Sequence, residues 1–145
     1  MNFKILTFML FYSFFAASHE INIADKNVEA IVKERMSIMS KIKALSTKMY
    51  PLTMTGEFEE IKNLNDEMLH AAKEFKSLFP EGSQGGKAAN LIWDDRETFD
   101  LFNDNYIKSI VNISESINNE DSVSLMENFK IMASNCGTCH KKFRN

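Results

Sequence analysis

The chain has 145 residues, with 17 Lys+Arg against 20 Asp+Glu, a formal net charge of −3, 44% apolar residues, 5 Gly, 2 Pro and 2 Cys. That length suits one domain around one core. An acidic balance with no Lys/Arg-rich block excludes a nucleic-acid binder, which must neutralise phosphates. Two cysteines cannot staple a disulfide-dense mini-fold, and scarce Gly and Pro exclude a turn-rich all-β protein.

Residues 1–18, MNFKILTFMLFYSFFAAS, read as a signal peptide. Lys4 supplies the positive start, Ile5 to Ala17 form an apolar run, and Ala16 and Ser18 put small side chains at −3 and −1 of a cut before His19. The run is shorter than the roughly 20 residues that span a bilayer as a helix. The expectation is export to the periplasm, a mature domain over 19–145 and no stable membrane insertion after cleavage. An uncleaved anchor is the alternative.

Four amphipathic segments follow. In 25–49, Val28, Ile31, Val32, Ile38, Met39, Ile42, Leu45 and Met49 recur at gaps of three and four, predicting a helix capped by Asp25. Pro51 is expected to close it, since its ring disfavours helical geometry in the residue before it. Segment 57–79 repeats the pattern from Phe58 to Phe79. Pro80-Glu81-Gly82-Ser83-Gln84-Gly85-Gly86 is the clearest loop. Residues 88–117 carry a third stripe, whose first few residues suit an extended connection. Asn118 to Ser122 offer caps for a last helix over 123–143. Four apolar stripes with mostly short connections predict an all-α, antiparallel four-helix bundle.

Cys136-Gly137-Thr138-Cys139-His140 is the C-x-x-C-H pattern of c-type haem attachment. Thiols three residues apart on a helix occupy neighbouring parts of one face, so each can form a thioether with one haem vinyl. The imidazole of His140 then falls beneath the iron. A thiol–disulfide pair is the weaker alternative, because that motif opens a helix in a βαβ context that this chain lacks. Zinc would need a fourth good ligand, and His19 and His70 are the only other histidines. A haem-free helical protein with a Cys136–Cys139 disulfide is the remaining reading. Met39 lies near the middle of the stripe of Val28, Val32, Arg35, Ile42 and Ser46, and Met36 lies at its edge. Nine methionines make core filling an alternative role for Met39. Arg35 shares the inward face, where a permanent cation calls for an anionic partner.

The chain resembles the class II c-type cytochromes, comprising cytochromes c′ and the cytochrome c-556 type. The resemblance rests on the ending Cys136-Gly-Thr-Cys139-His140-Lys-Lys-Phe143-Arg144, on Arg35-x-x-x-Met39, on Phe79-Pro80-Glu81-Gly82-Ser83 and on Ile92-Trp93-Asp94-Asp95-Arg96-x-x-Phe99. It implies one haem c held through Cys136 and Cys139, with His140 and Met39 as the two iron ligands. It further implies a haem propionate as partner of Arg35 and a haem edge covered by Trp93. Arg144, one turn beyond His140, could screen the proximal side or simply lie at the surface. A filled coordination sphere favours electron transfer over catalysis, and a soft thioether raises the reduction potential. The leading expectation is therefore a non-enzymatic periplasmic electron carrier that docks transiently on periplasmic or membrane redox proteins. Its alternative is a five-coordinate cytochrome c′ that binds nitric oxide or a similar gas, with Met39 only crowding the iron. Dimerisation through the first two helices, common in the family, stays open.

Overall fold

The computed structural model describes residues 28–145. The expected signal peptide and the Asp25 cap lie outside them. The helices are α1 (Val28–Thr55), α2 (Phe58–Ser77), the single turn α3 (Leu91–Asp94), α4 (Arg96–Asn118) and α5 (Ser122–Phe143). Among the described residues the one extended pairing is an isolated bridge between Ala88 and Arg144.

Helices α1, α2, α4 and α5 form a ring in which each packs on the next and α5 returns to α1. Asn65 donates to the Ile110 carbonyl while Lys76 pairs with Asp104, so α2 and α4 run antiparallel. Asn128 reaches Asn112 and Asn135 reaches Ser109, which sets α4 against α5 in the same way. The apolar stripes meet inside: Met49, Ile61, Met68, Ile110, Ile113 and Leu125 are fully buried. Val123, counted in the last stripe, instead stays 79% exposed in the first turn of α5.

Two helix ends differ from expectation. The first helix does not stop before Pro51 but continues to Thr55. Proline removes one N–H, a single lost bond, and the last turn is held by other groups. Thr53 Oγ1 donates to the Tyr50 carbonyl at 2.7 Å and the Gly56 N–H to the Leu52 carbonyl at 2.9 Å. Gly56, at φ +73°, ends the helix in the left-handed conformation that glycine adopts without steric cost. The third stripe is interrupted at Asp95, whose φ of −127° and ψ of 58° leave the helical region. Its carboxylate then caps α4 by accepting from the Thr98 N–H.

Asp121 caps α5 by accepting from the Val123 and Ser124 N–H groups, both at 3.1 Å. A bond from the Ser124 hydroxyl, with those amides, holds its carboxyl below the usual range. Lys142 first, and Thr98 second, do the same for Asp95. A depressed carboxyl stabilises the fold above its unfolded pKa, near 3.9, and loses that contribution as pH falls through its lower folded value. Acid titration of the melting temperature should therefore show a decline below about pH 4. That decline should be shallower in the Asp95→Asn/Asp121→Asn protein. Ile110→Ala should cost about 2–5 kcal/mol in chemical denaturation, since it opens a cavity at a fully buried position.

Candidate functional site

The last two turns of α5 carry the cysteine motif. Leu125, Phe129 and Met132 bury one face of this helix, and Cys136, Cys139 and Phe143 continue it towards the C-terminus. Both thiols are free and half-buried. Cys136 Sγ lies 3.8 Å from the Met132 carbonyl, and Cys139 packs against the core. Burial pushes both thiols up, Cys139 to about 11 with a further contribution from Cys136. They are protonated at neutral pH, unlike the acidic thiols of disulfide-exchange sites. A Cβ placed on Gly137 would meet nothing, so the helix surface between the thiols is open.

His140 is exposed, and partial burial followed by the nearby charge of Arg144 lowers its pKa. Its imidazole is therefore neutral at pH 7, with a lone pair available to a metal. Among the described residues there is no cluster of three His, Cys, Asp or Glu that could hold a metal ion. Two thiols on one helix face and a neutral imidazole beside them fit a haem c.

Helix α1 packs on α5. Tyr50 and Phe129 stack with ring centroids 5.9 Å apart, and Thr53 Oγ1 lies 3.9 Å from Met126 Sδ. Facing residues of an antiparallel pair keep a constant sum of residue numbers, here 179 in both contacts. Continued along both helices, the same register would bring Met39 to about the level of His140. Met39 is half-buried against the core, whereas Met36 is 63% exposed. The open groove lined by Thr53, Met54, Val123 and Met126 lies at the other end of α1 and α5 and contains neither Met39 nor any residue of the cysteine motif.

Arg35, one turn before Met39, is only 5% exposed. Among the described residues no ion pair includes it. Its Nε donates to the Leu78 carbonyl at 2.7 Å, Nη1 to the Ser83 carbonyl at 2.9 Å and Nη2 to Ser83 Oγ at 2.5 Å. The guanidinium lies 4.2 Å from the Phe79 ring centre and 5.4 Å from that of Trp93. Leu78 is the C-cap of α2, so this cation sits at the negative end of a helix dipole. Burial pulls its pKa down to about 10, which still leaves it charged at pH 7. Three of its five N–H groups are used, and the other two could take a carboxylate.

Trp93, expected to cover a haem edge, is fastened here: its Nε1 donates to the Pro80 carbonyl at 3.0 Å. Arg96 Nη1 donates to the Phe79 carbonyl at 2.7 Å. Side chains of other elements thus collect the carbonyls of residues 78, 79, 80 and 83. Arg144 is exposed, and its main chain forms the bridge to Ala88. His70 is exposed, as an ordinary surface histidine would be. Sequence reasoning missed the roles of Ser83, Arg96 and Tyr106. The Tyr106 hydroxyl donates to Met68 Sδ at 3.0 Å, and burial and then Cys136 push its phenol up. Helical spacing marked Tyr106 as apolar and offered no sign of its hydroxyl's partner.

A sequence model of the family described as cytochrome C′ matches residues 30–144. The chain therefore belongs to the cytochrome c′ family, class II c-type cytochromes whose members bind haem c. Solved structures share the fold. A nitric oxide complex of a leucine-to-alanine variant of cytochrome c prime from Alcaligenes xylosoxidans is 24% identical, with a TM-score of 0.77 over 82% of this chain and 96% of that one. A structure described simply as cytochrome c′ is 23% identical, with a TM-score of 0.77 over 83% and 98%. A ferrous arginine-to-lysine variant with nitric oxide bound, also from Alcaligenes xylosoxidans, is 22% identical, with a TM-score of 0.78 over 82% and 96%. No curated protein sequence matches the chain.

Arg35→Leu should lower stability by about 2–4 kcal/mol in urea denaturation, because it leaves the Leu78 and Ser83 acceptors buried without their donor.

Proposed function

We propose that the protein is a periplasmic monohaem c-type cytochrome that binds nitric oxide or a similar small gas on the haem face opposite His140. Family membership and the nitric oxide complexes of the Alcaligenes cytochrome c prime support this reading. Within the chain it is supported by the antiparallel register of α1 and α5, which, continued towards the motif, would bring Met39 to the level of His140. The haem would supply an iron that takes a diatomic ligand or exchanges one electron. Cys136 and Cys139 would hold it by thioethers, so that it cannot dissociate outside the cytoplasm. His140, neutral at pH 7, would offer its lone pair from the α5 side.

On the α1 side Met39 presents an apolar, flexible side chain that excludes water and crowds a small ligand. The two N–H groups of Arg35 that bond to none of the described residues suit the carboxylates of a porphyrin edge. Arg144 places a second positive charge beside His140. The leader sequence of residues 1–18 supports export, and among the described residues no helix is long and apolar enough to cross a membrane. No catalysed reaction is assigned to the chain. Electrons would reach it through transient contacts with other redox proteins.

The leading sequence expectation, His140/Met39 ligation in a dedicated electron carrier, thus becomes the second reading. The observation in its favour is the same thioether, half-buried and level with the imidazole. Met39→Leu separates the two. Under gas binding, the ferrous protein from a host that attaches c-type haem stays high-spin, and its carbon monoxide affinity changes by less than about tenfold, or 1.4 kcal/mol. Conversion from low-spin to high-spin iron in that variant would establish the second reading. Mass spectrometry should find one haem on the wild type and none on Cys136→Ala/Cys139→Ala.

A further inference from the structure

We infer that the Arg35–Ser83 bridge is the positioning element of the gas-binding face: it fixes how closely Met39 stands over the iron, and so how fast a gas reaches it. This rests on the reading above that His140 and Met39 flank the haem. The contacts described between α1 and α5, Tyr50 with Phe129 and Thr53 with Met126, lie at the far end from the cysteine motif. At the motif end α1 is tied to the connection 78–90 instead. Arg35 grips Leu78 and Ser83, and Val32 lies against Gly85 and Gly86. Gly86 has φ +65°, and a Cβ there would come within 2.9 Å of Val32 Cγ1. The connection is fastened in turn to the end of α5: the Ala89 N–H donates to the Phe143 carbonyl and the Asn145 N–H to the Lys87 carbonyl, both at 3.0 Å. The connection therefore ties the Met39 half of α1 to the His140 end of α5.

Ser83 is the joint of that path. It is 2% exposed, its carbonyl and Oγ both accept from Arg35, and its hydroxyl donates to the Pro80 carbonyl at 2.6 Å. It belongs neither to α1 nor to α5, so removing its hydroxyl loosens the bridge without altering Met39, the cysteines or His140. Arg35 and Met39 are one turn apart on a continuous helix, so play at Arg35 is transmitted to Met39 as a change of tilt.

The test is the carbon monoxide association rate of the ferrous, haem-loaded full chain, measured well below its melting temperature. Ser83→Ala should raise the rate by about threefold to tenfold, the scale of one hydrogen bond's net contribution. Arg35→Lys, which keeps the charge but not the three-bond fork, should raise it in the same direction. Met39→Ala should raise it most, and adding Ser83→Ala to Met39→Ala should change nothing more, because two steps of one path are not additive. Asp121→Ala, which weakens the fold at the far end of α5, should keep the wild-type rate. A wild-type rate in Ser83→Ala, with Met39→Ala accelerated, would overturn the positioning role alone. A Ser83→Ala effect that persists undiminished without Met39 would overturn it too. A wild-type rate in Met39→Ala would instead overturn the placement of Met39 over the iron, on which the inference rests.

Discussion

The structure around the motif depends on one buried cation. Among the described residues no carboxylate pairs with Arg35, and an uncompensated guanidinium in an apolar bundle would be prohibitive. It is tolerated because α2 ends against it. The carbonyl of Leu78, the carbonyl and hydroxyl of Ser83 and the faces of Phe79 and Trp93 together surround it with negative potential. That arrangement fixes where α2 stops and how the connection to α4 leaves it. It also fixes the inward face of α1 at the level of the site. Arg96 and Trp93 complete the work by taking the carbonyls between.

The chemistry at the end of α5 needs less from its surroundings. Cys136 and Cys139 must be free thiols on one face, and His140 a neutral imidazole beside them. Partial burial favours the neutral imidazole, because it disfavours imidazolium. On the proposed reading, what decides between binding a gas and passing an electron would not be on this helix but on α1. A thioether free to coordinate would close the iron, and one kept out of bonding distance would leave a crowded but open position. The choice would then follow from the placement of α1, which Arg35 ties to the connection 78–90.

Much of this was legible in the sequence. The four stripes were written at helical spacing because burial of one face is the only demand on most of their residues, and Met49, Ile61 and Ile110 all meet it. The motif was legible because C-x-x-C-H is a fixed pattern of residue types at fixed intervals. Pro51 misled because a proline costs one bond, and the threonines and Gly56 around it supply others that no local rule weighs together. What the sequence did not disclose about Arg35 is its protein acceptors, which are main-chain oxygens and one serine hydroxyl 43 and 48 residues away. Loop carbonyls leave no trace in side-chain pattern, so Ser83 could not be found before the fold was known.

The most direct measurement is the visible absorption spectrum of the haem-loaded ferrous protein before and after carbon monoxide. Broad high-spin bands that shift fully on adding the gas are the predicted result: His140 binds the iron from one side while Met39 guards the other without binding. Sharp, split low-spin bands that the gas leaves unaltered would contradict it, and would make Met39 a ligand and the protein an electron carrier.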